Sequence, residues 1–245
     1  MPLTDDNARS DALAFAEAIA SFWRRRLGDR IFGFYLLGSL AHGGFNRRYS
    51  DIDLGLVAEE GAVNEADIAA MRAEASAISP GLAPKLSLFW TDRGFSVGRF
   101  PPLDRLDYLD HAVALIERER IVPARPALAD IRAYLSGVPF ANWRSAVDRF
   151  AALATLAAED HKPYLRAHLY PARFAYSWLT GRMASNDEAV AFLCDRPPDG
   201  LDIPLLEKAL RCRRDAADPD ALFADRKKLP LQLSACGQMI TGIPS

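Results

Sequence analysis

The chain has 245 residues, half of them hydrophobic and a quarter charged, with a formal net charge of -2. That is enough to bury one large core or two modest ones, and it excludes the basic excess on which nucleic-acid and anionic-membrane binders rely. The short basic runs at 24–26 and 226–228 read as solvated helix faces.

Cys194, Cys212 and Cys236 are odd in number and show no paired spacing, so neither a disulfide framework nor a zinc knuckle is expected and a reducing cytoplasm fits. The N-terminus lacks a basic stretch followed by an apolar one. No apolar run approaches the roughly 18 residues of a membrane helix.

Apolar residues at helical spacing (Leu13, Phe15, Ala16, Ile19, Phe22, Trp23) predict a first helix over 7–27, stopped by Gly28. Residues 31–37 and 52–57 read as strands, an Ala-rich helix is expected over 64–78, and a third strand over 85–90 follows Pro84. Two glycines and two prolines make 93–102 a candidate linker. Helical patterns then dominate, at 104–119, 127–135, 142–159, 164–180, 187–194, 203–215 and 219–235, with a capping-box start at Ser185 and Glu188. The expected fold class is α+β. A small mixed sheet with flanking helices fills 1–100, an all-helical domain fills 101–245, and a cleft between them is the natural ligand site.

Residues 37–54, LGSLAHGGFNRRYSDIDL, carry the chemistry. After a strand, Gly38 permits a sharp turn and close approach to a ligand. Ser39 and the amides beyond it open a helix whose N-terminus suits an anion such as a triphosphate. Asp51 and Asp53, two apart on a strand, share a face. Paired carboxylates repel unless a cation sits between them, and hard oxygen ligands suit Mg²⁺. Two such ions can clamp the oxygens of an in-line displacement at phosphorus.

The Gly-Ser turn followed about a dozen residues later by Asp-x-Asp resembles the nucleotidyltransferase superfamily that includes DNA polymerase beta. Ser50 before the first aspartate strengthens the likeness. Residues 173–182, RFAYSWLTGR, look like the arginine-to-Thr-Gly helix end of aminoglycoside adenylyltransferases of the streptomycin and spectinomycin type. The resemblance implies a transferase with catalytic and metal-binding Asp51 and Asp53, and a nucleotide-binding set of Gly38, Ser39, Arg48, Ser50, Lys85 and Arg173. It implies ATP as substrate, Mg²⁺ as cofactor, and a small-molecule hydroxyl acceptor held by the helical domain.

Two features depart from that family. Its third carboxylate, on the strand after the intervening helix, has no counterpart: Lys85, Ser87 and Phe89 share one face there, and a slip of two still supplies no acid. Asp92 replaces it only if the strand ends or bulges before that residue. A Lys85 pointing inward would repel metal by about 4 kcal/mol per unit charge at ~4 Å and reduce a two-ion site to one, whereas one snorkelling outward would do nothing there. The lysine that usually follows Thr-Gly is replaced by Asn186, leaving Arg173 or Arg182 to meet the phosphates.

Several residues carry a plainer reading beside a functional one. His42 is either exposed or a phosphate contact, and exposure is the usual state of a loop histidine beside glycine. Arg47 and Arg48 reach a phosphate or decorate a loop. Asp104, Asp107 and Asp110 stabilise a helix N-terminus, with a remote base or a cation acceptor left open. His161 and His168, seven apart, do not have metal-pair spacing. Tyr164, Tyr170 and Trp178 pack a core. The leading expectation is transfer of AMP from Mg-ATP to a small-molecule hydroxyl. Its rival is an inactive or altered relative that binds nucleotide or a partner.

Overall fold

Residues 5–242 are described by a computed structural model; residues 1–4, where no leader was read, lie outside the described residues. Helix α1 (Asp5–Leu27) buries Ala12, Phe15, Ala16, Ile19, Trp23 and Leu27, a stripe three or four residues apart that faces a sheet. Strand β1 (Ile31–Leu37) is buried along its whole length, as a central strand covered on both faces must be. It leads into a single helical turn, α2 (Gly38–Ala41), and then strand β2 (Ile52–Ala58).

Helix α3 (Glu65–Ile78) starts on a reciprocal cap. The Asn64 side chain accepts from the Ala66 and Asp67 amides, and the Asp67 carboxylate accepts from the Asn64 amide. Strand β3 (Leu86–Thr91) follows. Because α3 carries the chain back across the sheet, β3 pairs parallel to β2, whereas β1 pairs antiparallel to β2.

Two expectations fail between 93 and 119. The supposed linker packs into the fold: Phe95 and Phe100 are buried, and Trp90 bridges back to Arg99. The supposed helix over 104–119 is helix α4 (Pro102–His111) followed by a fourth strand, β4 (Val113–Glu117), on the free edge of β1. The sheet order is β3-β2-β1-β4. Contacts accordingly divide the chain into units Met1–Arg125 and Pro126–Ser245, a later division than the composition shift near 100 suggests. Helical periodicity dominated the reading of 104–119 because β4 is a half-exposed edge strand with only weak alternation.

Each face of the sheet has its own core. Under α1 and α3 lie Trp23, Phe34, Leu36, Ile52, Leu54, Leu56 and Leu88. Under α4 and the 95–100 segment lie Tyr35, Leu37, Val57, Phe89, Phe95, Phe100 and Tyr108.

The second unit is helical: α5 (Leu128–Ser136), α6 (Val138–Ala152), α7 (His161–Thr180), α8 (Asn186–Asp195), α9 (Ile203–Arg214), α10 (Asp220–Phe223) and α11 (Leu229–Thr241). The helix expected over 219–235 is broken at 224–228, and the Ser185–Glu188 capping box is present. Pro171 lies inside α7 and cannot donate to the carbonyl of Ala167. The indole Nε1–H of Trp143 donates to that carbonyl instead, at 3.0 Å, while the Trp143 ring stacks on Tyr170. Tyr164 donates its hydroxyl to the Leu222 carbonyl, and Trp178 stacks on Phe174. Of the three aromatic residues expected to pack a core, Tyr164 is buried, while Tyr170 and Trp178 are half-buried and stack on neighbouring rings. Among the described residues no helix is long and apolar enough to cross a membrane.

Candidate nucleotide site at the glycine-serine turn

The turn between β1 and α2 is built around Gly38, whose φ of +59° suits a residue without a side chain. A Cβ placed there would lie 2.3 Å from Asp53 Oδ2 and 3.1 Å from Asp53 Cγ. The Asp53 carboxylate thus rests directly against the turn, as two antiparallel neighbours in register (Leu37 opposite Asp53) require. Asp51 precedes β2 by one residue and, like Asp53, is half-buried.

The loop from 42 to 51 closes on two side chains. Asn46 Oδ1 accepts from the Arg48 and Tyr49 amides. Ser50 Oγ accepts from the Asn46 amide and meets Ser39 Oγ at 2.9 Å. Ser39 and Ser50 therefore pin the two ends of the loop, which holds the aspartates beside the turn. Arg48 is exposed with its guanidinium over the Tyr49 ring, and Arg47 is exposed.

On β3 the residue in register with Asp53 is Ser87, so that face supplies no third carboxylate. Lys85 lies outside the strand, as the half-buried last residue of a 3-10 turn, one position before the ladder begins. Asp92 is excluded as a substitute. It is buried, and both of its oxygens are taken by Ser96, through the amide and the hydroxyl at 3.0 Å each. Burial pushes its carboxyl up, but the Ser96 hydrogen bonds outweigh this and leave it below the usual aspartate range. Its work is to hold the turn that returns the chain to Arg99.

The third acid at the turn comes from α4. Asp107 is 3% exposed; its Oδ2 accepts from the Gly38 amide at 2.7 Å, and its Oδ1 lies 2.5 Å from His42 Nε2. From these contacts and standard bond lengths, Asp107 and Asp53 stand within about 8 Å of each other. Two sequence readings need correcting here. His42 is not an exposed loop residue, since its side chain is 8% exposed and bonded to Asp107. Asp107 does more than stabilise a helix N-terminus, while Asp110, three residues on, pairs with Arg125 at the surface. The Gly38 amide already serves a protein carboxylate, and α2, expected from Ser39 onward to offer a helix N-terminus to an anion, is too short to add a helix dipole. The Asp-x-x-x-His spacing of Asp107 and His111 on one helix was the available signal.

In the helical unit, Arg173 is exposed on α7 with Nη2 3.8 Å from Met183 Sδ, and Thr180 and Gly181 end that helix through a left-handed cap. Arg182 is exposed and Asn186 begins α8. His161 pairs with Asp218, while His168 is buried against Tyr164, so the two histidines are unrelated.

No protein-family model matches the chain, and no curated protein does. Among solved structures the chain is similar to spectinomycin adenyltransferase AAD(9) from Enterococcus faecialis, determined with ATP and spectinomycin. The TM-score is 0.65 over 95% of this chain and 99% of the other, at 12% sequence identity. A likeness at that identity establishes the fold: a mixed α+β sheet unit with flanking helices and a helical C-terminal part, as in an adenylyltransferase.

Proposed function

We propose that the chain is a nucleotidyltransferase that moves AMP from ATP to a hydroxyl of a small, aminoglycoside-like acceptor. The acceptor oxygen would form a bond to the α-phosphorus as the bond to pyrophosphate breaks, and the hydroxyl proton would pass to solvent water. The observation that carries the reading is the Asp53 carboxylate set against the Gly38 turn, with Ser39 and Ser50 holding Asp51 alongside. A polyphosphate would lie along the half-buried turn of Gly38 and Ser39. Arg48, solvent-facing with its guanidinium over the Tyr49 ring, belongs to the same loop and would meet its outer oxygens.

The donor set fits a divalent ion: Asp51 and Asp53 offer hard carboxylate oxygens, the ligand type magnesium takes. Magnesium held there would supply charge neutralisation at the phosphates. Pairing with Leu37 sets the Asp53 carboxylate against the turn, Gly38 leaves room for it, and Ser39 with Ser50 fixes the loop.

A second reading has its own support. Ser87 rather than an acid stands in register with Asp53, and the Gly38 amide is engaged by Asp107. These features suit an altered relative that binds nucleotide without transferring it. Incubation with radiolabelled ATP, Mg²⁺ and a panel including spectinomycin and streptomycin separates the two. The transferase reading expects a labelled acceptor that disappears in Asp53→Asn. ATP-analogue binding without labelled acceptor across the panel favours the altered relative.

A further inference from the structure

We propose that His42, Asp107 and His111 form a binding site for a divalent transition metal of the zinc class, distinct from any magnesium held by Asp51 and Asp53. One ligand atom from each of the three lies within 4.8 Å of the other two. With zinc bonds of about 2.0–2.1 Å to nitrogen and oxygen in tetrahedral geometry, ligand atoms stand about 3.4 Å apart, so small side-chain shifts close the site. Two imidazoles and one carboxylate suit zinc, whereas magnesium selects oxygen ligands.

The backbone preorganises this set. Asp107 and His111 are four apart on α4 and share one face of it. His42 closes the α2 turn, where its amide donates to the Gly38 carbonyl at 3.0 Å. The His42 and His111 rings are 4.4 Å apart and inclined at 60°, so they converge rather than stack. The second oxygen of Asp107 takes the Gly38 amide, the kind of outer contact that fixes a metal-binding carboxylate.

Charge gives an independent argument. Asp107 is a buried carboxylate, and among the described residues no lysine or arginine lies within ion-pair range of it. Buried carboxylates are ordinarily paired with a basic side chain or coordinate a metal. As metal ligands both histidines would be neutral imidazoles, each binding through the ring nitrogen that carries no proton and keeping its proton on the other. Three protein ligands leave a fourth position for water or an anionic group at the turn.

The proposal does not depend on nucleotide transfer, and its test contains no nucleotide. Calorimetric titration of the full chain with Zn²⁺ should give one equivalent of saturable binding, weakened about 100-fold or more in His111→Ala and in His42→Ala, since even outer-shell losses cost 10–100-fold. Asp51→Asn should bind as the parent does. Should either histidine variant fail to fold, Co²⁺ added to the parent chain decides: ligand-field bands of a four- or five-coordinate nitrogen and oxygen site are expected. Absence of binding, parental affinity in both folded histidine variants, or thiolate-to-cobalt charge-transfer bands would overturn the assignment.

Discussion

Replacing Gly38 by alanine tests the geometry on which the nucleotide site rests. At φ +59° a Cβ costs roughly 1–2 kcal/mol against the following carbonyl. The added carbon would also stand 2.3 Å from Asp53 Oδ2 and 3.1–3.2 Å from Asp53 Cγ and Cβ. The oxygen can swing away, but Cβ is fixed by the pairing of Asp53 with Leu37 and Ser87, so about 1 kcal/mol of crowding should persist. Urea unfolding followed by tryptophan fluorescence should therefore show Gly38→Ala destabilised by about 2–3 kcal/mol. In an Asp53→Gly background, which removes the Cβ together with the carboxylate, only the backbone part, roughly 1–2 kcal/mol, should remain, giving a coupling near 1 kcal/mol. An unchanged penalty in that background would mean that Asp53 does not rest on the turn, and the site as described would be wrong.

Two further outcomes concern the helical unit. His168 is 1% exposed, and among the described residues its ring nitrogens have no hydrogen-bond partner; burial pushes its pKa down to about 3 from the ordinary 6.5. A depressed folded pKa means that the unfolded chain binds the extra proton. The stabilising contribution is thus complete above about pH 6.5 and is lost progressively as pH falls toward 3, to a limit on the order of 4 kcal/mol. His168→Phe should flatten the stability profile between pH 6 and 4, as read by thermal unfolding; an unaltered acid slope would refute the assignment. Trp143→Phe should cost about 1–3 kcal/mol in urea unfolding, because the Ala167 carbonyl, already deprived of a donor by Pro171, loses its remaining partner. A cost below that of a conservative core exchange would indicate that the indole bond is dispensable.

The fold class, the first three strands and the boundaries of most helices were legible in the sequence, because they follow from local periodicity and caps: the apolar stripe of α1, the cap at Asn64, the capping box at Ser185. Strand parity also placed Asp53 beside the Gly38 turn, since Leu37 stands opposite Asp53 in the ladder, whereas Asp51 falls one residue before β2. What escaped was non-local. Strand β4 exists because the edge of β1 needs a partner, not because five residues announce it. Asp107 reaches Gly38 across 69 residues of chain, and His42 loses its solvent through the packing of α4. A carboxylate at a helix start has a sufficient local explanation, so only the tertiary structure could reveal that this one is buried against the turn. Sequence patterning specifies which side chains turn inward, but the identity of their partners depends on how separate elements meet.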